Sequence, residues 1–255
     1  MEKCGISAVI LLKSGRESIG KCIASLYFCG EIVIVDDNSD AETLIQARIA
    51  VKNNRHKLKI YKRELNGDFS ASRNFGLGKC NNNWVLFVDA DEYVSDSLAK
   101  EIVSKYGQSD TCAYFLRRKD VFLGKKLNFG ETGKMYLARL GRKNKVQWEG
   151  TVHETMQYKG KACRLKEILW HERKMDLAGF LDRLNFYSTL RAEKNIADSK
   201  KFSLWEFFFY PTGKFILNYF IKFGFLDGIE GFVMAYMMSF HSMLVRIKMY
   251  EKLKR

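Results

Sequence analysis

The feature that most constrains this chain is a set of apolar runs that do not alternate with polar residues: ISAVILL at 6–12, EIVIV at 31–35 and NWVLFV at 83–88. A strand with one wet face alternates, so a continuous run has to be covered on both faces, as in a parallel sheet flanked by helices. The segments between these runs have helical spacing: SIGKCIASLYF (18–28), AETLIQARIAVKNN (41–54), SASRNFGLGKC (70–80) and DSLAKEIVSKYG (96–107), the last closed by Gly107. With LKIYKRE (58–64) as a further strand, strand and helix alternate four times in the first 107 residues. The expected fold class is therefore α/β, Rossmann-like, with a mostly parallel central sheet flanked by helices. Such sheets bind ligands beyond the carboxyl ends of their strands.

Two of the runs end in acid at that edge, VDD at 35–37 and DADE at 89–92. Three like charges, Asp89, Asp91 and Glu92, at the tip of a buried strand repel one another and cost stability unless something positive lies among them. A divalent cation would remove the problem. Mg²⁺ and Mn²⁺ prefer carboxylate oxygens, and one or two protein carboxylates suffice when a substrate diphosphate supplies further ligands. Asp91 would hold the ion, with Asp89 assisting or binding a ribose hydroxyl. The competing reading is that the acids cap a turn and the helix at 95–107.

Composition narrows the alternatives. A chain of 255 residues, 47% hydrophobic and 28% charged, is globular and long enough for one α/β domain plus an appendage. Its net charge of +14 favours anionic partners: nucleic acid, phosphorylated small molecules or an acidic membrane face. A nucleic-acid binder is disfavoured, because no recognised motif is present and the aromatics gather in an apolar tail rather than among Lys and Arg. A Mg²⁺-dependent nucleotidyltransferase should carry a Gly-rich basic loop after the first strand, of which LLKSGRES is a poor version. No Cys-x-x-Cys pair occurs among the six cysteines, and the N-terminus reads as a first strand rather than a signal peptide. Reduced thiols and an intracellular location are expected.

After residue 111 the rhythm changes to strands and hairpins over 112–130, 134–156 and 161–173. A helix is expected over 176–197, with Leu177, Phe180, Leu184 and Tyr187 on one face. The tail, 207–255, is rich in Phe, Met and Tyr and bracketed by Lys214, Lys222, Arg246, Lys248, Lys252, Lys254 and Arg255. Its most apolar stretch, Ile229 to Val245, is short for a bilayer span. It suits either a helix lying in the membrane interface, basic residues on lipid phosphates, or an amphipathic pair docked on protein. The division expected is 1–205 as the catalytic domain and 206–255 as the membrane-associating or packing segment.

The stretches SAVILLKSGRESIGKCIASL, IVIVDDNSDAET and FSASRNFGLGKCNNNWVLFVDADEYVSDSL keep an order and spacing that resembles family-2 glycosyltransferases of the A-type fold. WEGTVHETM, LWHERKMDLAGFLDRLNFYS and the tail are similar to bacterial lipopolysaccharide-core and related cell-surface glucosyl- or heptosyltransferase-like proteins. The resemblance implies an inverting, metal-dependent transfer from a nucleotide-diphosphate sugar to a glycan or glycolipid acceptor, with Mn²⁺ or Mg²⁺ as cofactor. It also implies a peripheral place on the inner face of the cytoplasmic membrane and no nucleic acid as partner.

By the same resemblance Leu12, Lys13 and Ser14 border the base and Asp37 hydrogen-bonds it, while Asp36 supports the turn. Arg73 and Asn74 lie near the nucleotide-sugar, as do Asp89 and Ala90, and Asp91 coordinates the metal. KSGRES departs from the Asn-Glu that family members often carry after the first strand. Inversion needs a carboxylate to take the acceptor proton. Glu154 in GTVHET leads, ahead of Asp120 and Glu131, with His153 as a metal or diphosphate ligand. Strand alternation would let only one of 153 and 154 enter the site. His171 in LWHER is more often a packed residue than a ligand, and Arg117, Arg118, Lys119, Lys125 and Lys126 are expected to form a solvated or acceptor-facing basic surface.

Overall fold

A computed structural model describes residues 4–13, 15–54, 57–108, 110–131, 133, 135–150, 154–172 and 177–254. In chain order the elements are β1 (Cys4–Leu12), α1 (Ile19–Ser25), β2 (Cys29–Asp36), α2 (Ala41–Asn54), β3 (Lys57–Lys62), α3 (Phe69–Lys79), β4 (Trp84–Asp89), β5 (Glu92–Val94) and α4 (Asp96–Lys105). There follow β6 (Thr111–Phe122), β7 (Lys125–Lys126), β8 (Met135–Arg142), β9 (Val146–Glu149), β10 (Thr155–Tyr158), β11 (Lys161–Glu172), α5 (Leu177–Ala197), α6 (Leu204–Ile216) and α7 (Gly228–Lys254). The chain forms two compact units, residues 1–118 with 135–173, and residues 119–134 with 174–255.

In the first unit the strand order is β3-β2-β1-β4-β8-β6-β11-β5. The β3-β2-β1-β4 half is parallel, because each crossover carries a helix. From β4 onward the pairings to β8, and from β8 to β6, are antiparallel. The parallel strands are covered on both faces, which explains their unbroken apolar character. Ile6, Ala8, Ile10 and Leu12 of β1 pack in one cluster with Ile19 and Ile23 of α1, Ala47 of α2, and Leu98 and Ile102 of α4. Val9, Val33, Val35, Val85 and Phe87 pack in the other with Leu77 of α3 and with Val146, Trp148 and Met156 of the β9–β10 pair. Caps fix where two helices begin: Asp68 accepts from the Ala71 N–H at 2.8 Å and Ser95 from the Leu98 N–H at 3.2 Å.

α3 sits unusually close to the sheet. A methyl group on Gly76 would lie 2.6 Å from Cγ1 of Val9 and 3.0 Å from Cγ2 of Val35, so only a glycine allows that approach.

In the second unit α7 packs against α5 and α6. The buried face of α5 runs through Leu184, Ser188 and Ala192. It is not the expected stripe, since Leu177 and Tyr187 are exposed. Small residues govern the face: Ala192 packs with Val245 and Met249 of α7, and Lys248 donates to Ser188 Oγ and Thr189 Oγ1. Several basic residues of the tail are engaged within the chain. Lys214 pairs with Glu131 at 2.7 Å and Lys252 with Glu193 at 2.5 Å, while Arg246 lies 4.2 Å from the Tyr210 ring centre. These side chains therefore have partners within the second unit. The apolar residues are the uncovered ones: α6 has no buried residue, and Trp205 is 75% exposed, Phe208 63% and Ile229 78%. Among the described residues no helix is long and apolar enough to cross a membrane.

Candidate active site

The two acidic strand ends meet at one edge. Leu12 of β1 is opposite Asp36 of β2, and Leu11 is opposite Asp89 of β4, so the tips lie one strand apart on either side of β1. Two strand spacings are about 10 Å. Asp36 turns inward to the loop, accepting the backbone N–H and the hydroxyl of Ser39. The Asp37 N–H donates to the Leu12 carbonyl at 2.7 Å, and its carboxylate accepts the Leu65 N–H at 3.0 Å and faces Lys13 Nζ at 2.9 Å. Burial works to raise the Asp37 carboxyl, but that hydrogen bond and the Lys13 charge hold it below its ordinary range. Leu12 itself is buried, and Ser14 lies outside the described residues.

At the β4 tip the like-charge problem has an answer the sequence did not supply. Asp89 Oδ1 is 2.8 Å from Arg73 Nη2, and Asp89 Oδ2 is 2.7 Å from Arg139 Nη2. Glu92, buried at the start of β5, accepts the Asp89 N–H at 3.0 Å with Oε2, while its Oε1 lies 3.4 Å from Arg139 and 3.5 Å from Arg118. Two of the three carboxylates thus face guanidinium groups, which supply the positive charge expected among them. Burial alone would raise the Asp89 carboxyl; the charges of Arg139 and Arg73 reverse this and hold it far below the usual carboxylate range. Conversely, burial works to lower Arg139, and Asp89 and Glu92 push it up. Asp91, the third acid, faces Nε2 of His171 at 3.4 Å. The antiparallel pairing of β11 with β5 sets His171 opposite Glu92 and brings the Glu172 N–H to the Asp91 carbonyl.

Arg73 is carried by α3 and is only 3% exposed. Its guanidinium lies 4.6 Å from the Trp148 ring centre, and Arg139 lies 5.8 Å from the same ring. Trp148 packs edge-on against Phe87 of β4 at 5.1 Å. Arg73 also reaches Glu154, whose Oε1 accepts from Nε at 3.3 Å and Nη2 at 3.2 Å. Glu154 precedes β10, in the connection from β9, so strand alternation does not govern it. His153 lies outside the described residues.

Other expectations change as well. The Asn74 amide is taken up by the backbone of Trp148, with 2.9 Å bonds to both its N–H and its carbonyl, so Asn74 ties α3 to β9 instead of presenting its amide to a ligand. The Ala90 methyl belongs to the apolar core, leaving only its backbone for a ligand. Arg118 is largely buried on Glu92, and Lys119, also buried, donates to Asn128 at 2.6 Å, so neither is a solvated surface charge. Glu131 is held by Lys214 and Asn218 in the second unit. Sequence reasoning missed Arg139 and Trp148 altogether. The signal was modest: an Arg inside the strand-like run MYLARL, and an aromatic two residues before Gly150.

The parallel half of the sheet thus gathers its acidic tips at one edge, backed by buried arginines. The family model described as glycosyl transferase family 2 matches residues 7–167, and the chain belongs to that family: it is a glycosyltransferase. As a member it carries the A-type α/β domain that its motifs imply. The lipopolysaccharide core biosynthesis glycosyltransferase LpsC of Rhizobium meliloti is similar over nearly the whole chain, 26% identical across 98% of this chain and 93% of LpsC. An uncharacterized glycosyltransferase of Rickettsia typhi is also 26% identical, over 96% of this chain and 87% of its own. The solved structure of residues 1–349 of S. aureus TarS is similar over the whole of this chain and 92% of that fragment, at a TM-score of 0.49 with 14% identity.

Proposed function

We propose that this glycosyltransferase moves a sugar, with inversion, from a nucleotide-diphosphate donor to a cell-surface glycan such as a lipopolysaccharide core or another lipid-linked saccharide. The observation that carries the donor reading is the flanking of the β1 tip by Asp37 on one side and Asp89 with Asp91 on the other, a span suited to a base at one end and a diphosphate-linked sugar at the other. Asp37, already an acceptor for one backbone N–H, takes a donor group of the base. Asp89, its carboxylate plane fixed by two arginines, accepts from a ribose or sugar hydroxyl. Glu154, near the same cluster through Arg73, takes the acceptor hydroxyl's proton as the diphosphate departs. The acceptor class follows from the likeness to LpsC over nearly the full length of both chains.

The residues fit a divalent cation at Asp91. Its Oδ2 and His171 Nε2 are 3.4 Å apart, somewhat wider than the about 3.0 Å between adjacent ligands of an octahedral ion with bonds of about 2.1 Å. One carboxylate and one imidazole form an incomplete set, which matches an ion completed by substrate oxygens and water. Such an ion, Mg²⁺ or Mn²⁺, would supply charge neutralisation to the leaving diphosphate. Among the described residues no group of three His, Cys, Asp or Glu side chains is gathered to hold a metal.

The uncovered apolar side chains of α6 and the start of α7 give the protein a means of resting on the cytoplasmic face of a membrane. A catalytic region over 1–205 and a membrane-associating segment over 206–255 remain the division that fits this reading. The test of the donor site is a thermal-shift panel of UDP-, GDP-, ADP- and CMP-sugars with and without Mn²⁺. At least one Mn²⁺-dependent rise in Tm is expected, abolished in Asp91→Ala. No shift with any donor overturns the reading.

A further inference from the structure

Arg139 is, with Arg73, one of the two cations that hold Asp89. It is 5% exposed, it projects from β8 onto the turn that carries Asp89, Asp91 and Glu92, and one nitrogen, Nη2, lies 2.7 Å from Asp89 Oδ2 and 3.4 Å from Glu92 Oε1. Arg73 occupies the other oxygen of Asp89. Among the described residues Arg73, Arg118 and Arg139 face Asp89, Glu92 and Glu154. Asp91 is one residue from Glu92 and two from Asp89 and faces His171.

We propose that Arg139 is a positioning residue that keeps Asp89 out of the cation's ligand set, so that Asp91 and His171 hold the ion while Asp89 is reserved for hydrogen bonding. The proposal deepens the metal-assisted reading above and rests on it. Its physical content is competition. A carboxylate with a guanidinium on each oxygen is a poor ligand, because binding an ion requires displacing a charge-assisted hydrogen bond from a buried arginine. With Arg139 neutralised, Asp89 Oδ2 loses its partner, the turn gains a net negative charge, and an Asp-x-Asp pair becomes available to the ion alongside His171. A tightly held resident ion would then form without the nucleotide, in place of one that arrives with the donor.

The experiment is a Mn²⁺ titration of the full-length protein without nucleotide, followed by the electron paramagnetic resonance signal of free Mn²⁺, on wild type, Arg139→Lys and Arg139→Met. Wild type and R139K are expected to bind weakly. R139M is expected to bind at least about tenfold tighter, the scale by which groups behind the ligands shift metal affinity. If folded R139M binds no tighter than wild type, the proposal is overturned. Should R139M fail to fold with two under-compensated acids, R139M combined with Glu92→Gln removes one of them, and its affinity is compared with E92Q alone; equal affinities overturn the proposal in the same way. A separate titration of wild type with Mn²⁺ and the donor identified by the thermal-shift panel tells the two readings apart. If no Mn²⁺ is taken up even with donor, the metal-assisted reading fails; if it is taken up but R139M changes nothing, only the role of Arg139 fails.

Discussion

Gly76→Ala isolates the contact that sets α3, and with it Arg73, against the sheet. In an ordinary helix this change helps, by up to about 1 kcal/mol from helix propensity and reduced unfolded-state freedom. Here the new methyl would lie 2.6 Å from Val9 Cγ1 and 3.0 Å from Val35 Cγ2, against an ordinary carbon–carbon separation of about 3.5–4.0 Å. Both neighbours are fully packed β-branched residues in the sheet, so the helix has to lift by roughly 1 Å, and overpacking of this kind costs about 1–3 kcal/mol. The net expectation is a loss of about 1–2 kcal/mol, seen as a Tm lower by about 2–8 °C for a chain of this size. Gly78→Ala, in the same helix, is the internal control: nothing lies within 4 Å of its added methyl. G78A should therefore match or slightly exceed wild type. Because Arg73 is one helical turn before Gly76, G76A should also weaken the donor-induced thermal shift, whereas G78A should leave it intact. Equal melting temperatures for G76A and G78A would refute the close-approach argument.

Two carboxyls, buried Glu31 and partly buried Asp89, make stability depend on pH. Burial works to raise Glu31, but Ser7, the Asn81 N–H and Lys59 together hold it below its usual range, as the arginines do for Asp89. A carboxyl whose folded-state pKa is depressed stabilises fully above the unfolded value of about 4 and loses that contribution as the pH falls from there toward the folded value. Melting temperatures between pH 7 and pH 3 should fall steeply below pH 4 in wild type and less steeply in Glu31→Gln; parallel curves would refute the assignment. For the tail, Lys214 and Lys252 are already paired with acids and Lys248 with α5 side chains, so attachment to vesicles should rest on the apolar side chains. Flotation with zwitterionic vesicles should then survive 0.5 M salt and be lost in a variant carrying Trp205→Ser and Phe209→Ser. Binding only to anionic vesicles, abolished by salt, would show that charge dominates.

The sequence by itself determined the parallel half of the fold and the edge at which its site lies. Unbroken apolar runs admit a strand buried on both faces and little else, and the acids at the ends of β2 and β4 had to emerge at one edge once those strands ran parallel on either side of β1. The acids Asp89 and Asp91 stood out in the residues themselves, and the resemblance to family-2 glycosyltransferases added Asp37, Arg73 and Glu154 as residues to look for there. What neutralises the acids was decided by tertiary structure, because Arg73, Arg118 and Arg139 come from three separate elements and meet only when α3 packs on the sheet and β6 and β8 extend it. His171 reaches Asp91 for the same reason: β11 pairs with β5 across some eighty residues of chain, and no local periodicity records that pairing. The buried face of α5 escaped in a similar way, since small residues that admit a neighbouring helix carry almost no hydrophobic signal of their own. Local pattern fixes which residues are buried or exposed along an element; long-range pairing fixes which charges end up within 3 Å of one another.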